Sequence, residues 1–181
     1  MTPYPEHRTG PEREAALDAI VTRVVRHLQA YGLDTGHTEQ AIRRLGSGTV
    51  LAYNAALYEF EGPQGRVQLQ PGKHSPELDA LLQGWQQDNW CFITACNPCS
   101  QLLDAAQNGE RQSALRALLA LDYRHLFDGA GRSASNDWRE ASVLVAGMDF
   151  SHAVALGRVL RQHAVLIGRR SGPAELLFIG S

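Results

Sequence analysis

The stretch Trp90–Gln101, WCFITACNPCSQ, has two halves of opposite character. Residues 90–95 (WCFITA) form a nearly continuous apolar run and read as a β-strand covered on both faces. Residues 96–101 (CNPCSQ) are turn chemistry, with Asn-Pro to start the turn and Ser100 placed to cap the next helix. A strand covered on both sides lies inside a sheet that has other layers packed against it. The remaining elements are placed outward from this strand.

Downstream, a helix is expected from about Gly109 to Leu121, with Leu115, Leu118 and Leu119 facing inward. Residues 128–137 (DGAGRSASND) read as a small-residue loop, and Ser142–Ala146 (SVLVA) as a second buried strand. Asp149 or Ser151 can cap a helix reaching about Arg161. His163–Arg169 then reads as a strand, Ser171-Gly172-Pro173 as a turn, and Ala174–Ile179 as the last strand. Upstream, Ser75 and Pro76 form an N-cap and first-turn proline for a helix to about Gln87. Thr49–Phe60 (TVLAYNAALYEF) is rich in aromatic and branched residues and reads as a strand; EGPQG turns the chain, and Arg66–Gln70 alternates as the returning strand. A helix from about Pro11 to Tyr31 carries an apolar stripe of Leu17, Ile20, Val21, Val24, Val25, Leu28 and Tyr31. Thr9 with Glu12 resembles a capping box, and Gly32 suits its end. A second short helix is expected from His37 to Leu45, stopped by Gly46. The expected organisation is a tail at 1–10, a helical appendage at 11–46 and one α+β domain at 47–181. That domain has a mixed sheet with helices packed on it.

Composition sets bounds on function. The chain has 181 residues, 44% hydrophobic and 20% charged, with 17 basic and 19 acidic side chains. That balance suits one globular domain and argues against a coat for nucleic acid or anionic membrane. Lys73 is the one lysine against 16 arginines, and no basic stripe interleaved with aromatics is present. No apolar run approaches the length of a membrane span, and the first residues lack the basic-then-apolar layout of a secretion signal. With three cysteines, an odd number, a disulfide scaffold is not expected, and the reading is of a soluble protein in a reducing cytoplasm.

The segment FITACNPCSQ, Asn108 and Arg111, Trp138-Arg139-Glu140-Ala141-Ser142, and Leu160-Arg161-Gln162-His163-Ala164-Val165 resembles, in order and spacing, the bacterial family of domain of unknown function 3293. The resemblance covers about residues 50–181 and implies a bacterial cytoplasmic protein without implying a reaction. Cys96 and Cys99 depart from the family pattern, and residues 1–47 lie outside the shared core.

Four residues are the candidates for a site. Asn97 and Ser100 sit where a buried strand runs toward a helix, and Arg111 lies one turn into that helix. There, free N–H groups and a positive charge favour an anion. Glu140 enters the second buried strand beside Trp138 and can accept a hydrogen bond or a proton. The plainer reading makes Asn97 and Ser100 a turn and a cap, and Glu140 one half of a structural ion pair with an arginine. Gln162 either faces a pocket or bonds free carbonyls at a helix end. Cys91, Cys96 and Cys99 have C-x4-C-x2-C spacing, but a fourth ligand and an H-x3–5-H pair are both missing, so no metal and no cofactor are expected. Cys99 as a nucleophile would need a base, for which His125, His152 and His163 qualify by type alone.

Two functions from different classes are consistent with these residues. In the first, the protein binds an anionic small molecule such as a nucleotide or phosphorylated metabolite. Asn97 and Ser100 orient it, Arg111 neutralises it and Glu140 accepts a hydrogen bond or proton. In the second, it is a non-catalytic regulatory or protein-interaction module whose motif residues determine the fold. Whether it is an enzyme stays open. The stripe on the first helix has two fates: it covers a face of its own sheet, or it forms a homodimer through the N-terminal helices.

Overall fold

The computed structural model describes residues 10–135 and 137–179. Residues 1–9 of the expected tail, including the Thr9 half of the expected capping box, lie outside the described residues, and Gly10 opens the first helix. Two helices, α1 (Gly10–Ala30) and α2 (Gly36–Ala55), precede a hairpin of β1 (Leu57–Gly62) and β2 (Gly65–Leu69). Helix α3 (Pro76–Trp85) leads to β3 (Asn89–Ile93), a single 3-10 turn at Pro98–Ser100, and helix α4 (Ala105–Leu119). Then come β4 (Leu126–Arg132), β5 (Arg139–Ala146), α5 (Phe150–Val159), β6 (Ala164–Arg169) and β7 (Glu175–Phe178). The strands form one seven-stranded sheet in the order β2-β1-β4-β5-β3-β6-β7, and every neighbouring pair is antiparallel. The α+β expectation holds, but the sheet is antiparallel throughout and not the mixed sheet expected.

The apolar run at 90–95 sits at the centre. Trp90 pairs with Ala146 of β5 on one side and Gly168 of β6 on the other. Trp90, Cys91, Phe92 and Ile93 are all buried. Gly168 is a glycine because a Cβ there would lie 2.5 Å from the Trp90 indole. Helix α5 packs on β3 and β6, α4 on β5, and α1 with α2 on β7. Local chemistry starts these helices where their caps stand. Ser75 Oγ accepts from Leu78 N at 3.3 Å, and Asp149 Oδ1 accepts from His152 N at 2.9 Å. Asp104 and Gln107 form a reciprocal capping box, so α4 begins at Ala105, one turn before the Gly109 expected for it.

Two segments depart from expectation for the same reason. Residues 49–55, read as the start of a strand, are the second half of α2. Gly46 (φ 78°, ψ 155°) leaves helical geometry, so the first helical segment stops there as expected and a second one follows directly. The branched and aromatic content of TVLAYNA favours a strand, but α2 packs on α1 and β7 and Val50 is completely buried in the core, so tertiary packing decides for helix. Residues 128–132, read as loop, are strand β4. Its glycines are a steric requirement: a Cβ on Gly129 would stand 2.3 Å from the Glu59 carbonyl oxygen and 2.9 Å from Phe92. Glycine lowers strand propensity, but here it lets β1 approach β4.

The stripe on α1 is buried within a single chain. Leu17, Ile20, Val21, Val24 and Leu28 join the same core cluster as the sheet residues. A polar clamp completes this contact. Glu175 of β7 is 0% exposed. It accepts from Arg23 Nε and Nη2 at 2.9 Å each and lies 2.8 Å from His27 Nδ1. Arg23 Nη2 also donates to Asn54 Oδ1 of α2 at 2.7 Å. One buried carboxylate thus joins both helices to the sheet edge. Among the described residues no helix is long and apolar enough to cross a membrane.

Candidate functional site

The chain leaving β3 cannot run straight into α4, because residues 97–100 take a left-handed turn. Asn97 (φ 45°), Cys99 (φ 52°) and Ser100 (φ 56°) all have positive φ. Asparagine adopts this region more readily than most side chains; cysteine and serine do so at a cost, so surrounding bonds must hold the turn. These bonds come from three directions. Ala95 N donates to Gln112 Oε1 and Arg111 Nε donates to the Ala95 carbonyl, at 2.9 and 2.7 Å, both from α4. Asn97 N donates to Asn108 Oδ1 at 2.9 Å while Asn108 Nδ2 returns a bond to Asn97 Oδ1 at 2.9 Å. From the corner between α5 and β6, Gln162 Nε2 donates to the Cys96 carbonyl at 2.9 Å and the Arg161 carbonyl accepts from Cys99 N at 2.7 Å. From β5, Glu140 Oε1 accepts from Asn97 Nδ2 at 2.5 Å.

The four residues expected in the site are therefore gathered around one turn, in different roles. Asn97 holds the turn together: its amide nitrogen serves Glu140, and its oxygen accepts from Leu103 N as well as Asn108. Ser100 does not cap α4, which Asp104 does. Its exposed hydroxyl lies 3.1 Å from the Tyr53 hydroxyl. Arg111 is half-buried, its Nε anchored on Ala95, and no ion pair among the described residues includes it. Glu140 likewise has no arginine partner among them; the ion pair expected for it belongs instead to Glu59, which meets Arg132 at 3.3 Å and Arg139 at 4.0 Å.

The electrostatics result from this placement. Burial pushes the Glu140 carboxyl above the ordinary carboxylate range, against hydrogen bonds from Asn97 and Trp138 that favour its charged form. Burial also raises the Tyr53 phenol, the hydrogen bond from Ser100 lowers it, and the negative charge on Glu140 raises it further. The Cys96 thiol is raised mainly by burial, with the charge of Glu140 raising it and that of Arg111 lowering it. Such an arrangement can hold an anionic group at Arg111 and exchange a hydrogen bond or proton at Glu140.

Sequence reasoning missed Tyr53, Asn108's reciprocal bond, Gln112 and the contact of Gln162 with Cys96. Asn108 and Gln162 stand in the quoted motifs, which signalled them without a role. Tyr53 had no signal, because its segment read as a strand. The expected base candidates are dispersed: His125 stacks on Trp85 at 5.0 Å, and the exposed His152 bonds the Tyr123 hydroxyl at 2.5 Å. Cys91 is fully buried in β3. Among the described residues no group of three or more His, Cys, Asp or Glu side chains could hold a metal ion.

The family model described as Protein of unknown function (DUF3293) matches residues 93–165. This segment runs from the end of β3 to the start of β6. It contains Asn97, Ser100, Asn108, Arg111, Trp138, Glu140 and Gln162, the residues that build and surround the turn. The family therefore agrees with the resemblance seen in the sequence. No curated protein and no solved structure matches the chain.

Proposed function

We propose that the turn at 95–103, with Arg111 and Glu140, binds an anionic small molecule of the nucleotide or phosphorylated-metabolite class. The setting implied by the family resemblance is a bacterial cytoplasm. The observation that carries this reading is Arg111. A guanidinium partly withdrawn from water, fastened through one nitrogen to a backbone carbonyl and lacking a carboxylate partner among the described residues, gains most from an anion supplied by solution. Ser100 adds an exposed hydroxyl, and Glu140 offers an acceptor, or a donor when protonated, to a hydroxyl or amino group on the same ligand. Asn97 acts as a positioning residue for Glu140 rather than as an anion donor.

The test is a thermal-shift screen of nucleoside mono-, di- and triphosphates and sugar phosphates against the wild type and Arg111→Ala. A ligand at about 100 times its Kd stabilises by about 2.7 kcal/mol, a rise of about 5–10 °C for a chain this size. The rise should vanish in Arg111→Ala. No rise with any compound, or an equal rise in the variant, refutes the reading.

The alternative, a regulatory or protein-interaction module, draws support from Leu102, which is 85% exposed beside the same turn, and Val159, 77% exposed at the end of α5. On that reading Leu102→Ser would abolish partner binding and no phosphorylated compound would shift the melting temperature.

A further inference from the structure

The segment matched by the family begins at residue 93, yet one side chain at the turn comes from far outside it. We propose that Tyr53 is a ligand-contacting residue of the anion site, delivered by the N-terminal helices, and that Asn54, Arg23 and Glu175 are the positioning residues that hold it there. This rests on the anion-site reading above.

The first observation is the hydroxyl pair. Tyr53 OH and Ser100 Oγ are 3.1 Å apart. Two hydroxyls own two protons, and a hydrogen bond between them uses one. The other is available to an oxyanion, so the pair presents a donor next to the turn that Arg111 braces. A phenol is protonated near neutral pH, and burial raises this one further, so it can donate.

The second observation is how Tyr53 is held. Gly46 breaks the helical geometry of α2, so residues 47–55 form a short arm. The Tyr53 carbonyl accepts from Tyr58 OH at 3.2 Å. The next residue, Asn54, is fixed by Arg23 at 2.7 Å, and Arg23 grips the completely buried Glu175 with two bonds of 2.9 Å. An unbroken chain of bonds thus runs from the sheet edge to the site.

The probe is inorganic phosphate, titrated calorimetrically at fixed ionic strength against the full-length wild type, Arg111→Ala, Tyr53→Phe, Asn54→Ala and the double variant Tyr53→Phe/Asn54→Ala. Tyr53→Phe keeps the ring and removes one hydrogen bond to a charged group, so affinity should fall about ten-fold. Asn54→Ala should weaken phosphate several-fold, and the double variant should be no weaker than Tyr53→Phe, because Asn54 acts through the Tyr53 hydroxyl. A purely structural role for Asn54 would instead add its loss in full to the Tyr53→Phe background, which overturns the positioning claim. If Arg111→Ala weakens phosphate and Tyr53→Phe does not, the Tyr53 inference fails while the anion site stands. If the wild type does not bind phosphate, or Arg111→Ala leaves its affinity unchanged, the anion site fails and the inference falls with it.

Discussion

Replacing Arg23 by methionine removes the charge that faces Glu175 while keeping an unbranched side chain of similar reach. Glu175 is 0% exposed, and Arg23 keeps 28% of its side-chain surface. Arg23→Met therefore strands a carboxylate that cannot reach water, with only His27 Nδ1 at 2.8 Å and its neighbour Leu176 N at 3.1 Å left as partners. Breaking a buried pair in this way costs about 3–5 kcal/mol, and the remaining partners place the loss near about 3 kcal/mol. At about 2–4 °C per kcal/mol for a chain of this size, the melting temperature should fall by about 6–12 °C. Glu175→Gln should cost less, about 1–2 kcal/mol, because the partly exposed Arg23 can rehydrate and glutamine keeps one acceptor. Arg23→Met/Glu175→Leu leaves no buried charge and should recover to within about 1 kcal/mol of wild type. Urea denaturation followed by circular dichroism, with the slope checked for each variant, measures all three. A loss under about 1 kcal/mol for Arg23→Met, or a double variant no better than that single one, would refute the claim that the buried carboxylate needs its clamp.

Three further outcomes are expected. Because burial raises the Glu140 carboxyl, the folded state binds its proton more tightly than the unfolded chain, so this group's contribution is fully present below the ordinary carboxylate range and is lost as pH rises through its raised pKa. The stability of Glu140→Gln relative to wild type should therefore grow between acid and neutral pH, and a difference independent of pH would contradict the assignment. Gly129→Ala, whose Cβ would meet a backbone oxygen at 2.3 Å, should cost about 3 kcal/mol. Gly157→Ala should cost less, since its Cβ would meet the end of the movable Ile179 side chain at 2.2 Å; equal melting temperatures for the two would falsify the contrast. Burial pushes the Cys91 and Cys96 thiols up, while Cys99 is half-exposed. An aromatic disulfide reagent should thus label Cys99 alone in the native chain and every cysteine after unfolding, as read by mass spectrometry of peptides.

Much of the fold was legible because its causes are local. The run at 90–95 is apolar on both faces and became the central strand. Ser75 and Asp149 cap the helices that their positions announce. The stripe on α1 has the period of a helix and is buried along that period. What the sequence hid was decided by partners far away in the chain. Residues 49–55 have composition that suits a strand, and become helix with Val50 buried in the core and Asn54 held by Arg23 of α1. Residues 128–132 look like a loop because of their glycines, and Gly129 is needed because the β1 backbone and the Phe92 ring lie against it.

The candidate site divides in the same way. Asn97, Ser100, Arg111 and Glu140 were visible as residue types in a recognisable order, and a turn after the buried strand was implied by Asn-Pro. Their roles were not visible, because they depend on bonds across the chain, such as Asn97 to Glu140 over 43 residues and Tyr53 to Ser100 over 47. Tyr53 could not be placed at the turn while its segment was read as a strand. By itself the sequence determined the α+β class, most of the strands and the position of the turn, since hydrophobic period, capping and turn preferences act over a few residues. Only the tertiary structure decided that Asn97 donates to Glu140, that Arg111 has no ion pair with a carboxylate among the described residues, and that a tyrosine from the N-terminal helices meets Ser100. Burial and hydrogen-bond partnership are properties of the packed sheet, and no local pattern encodes which distant group will arrive.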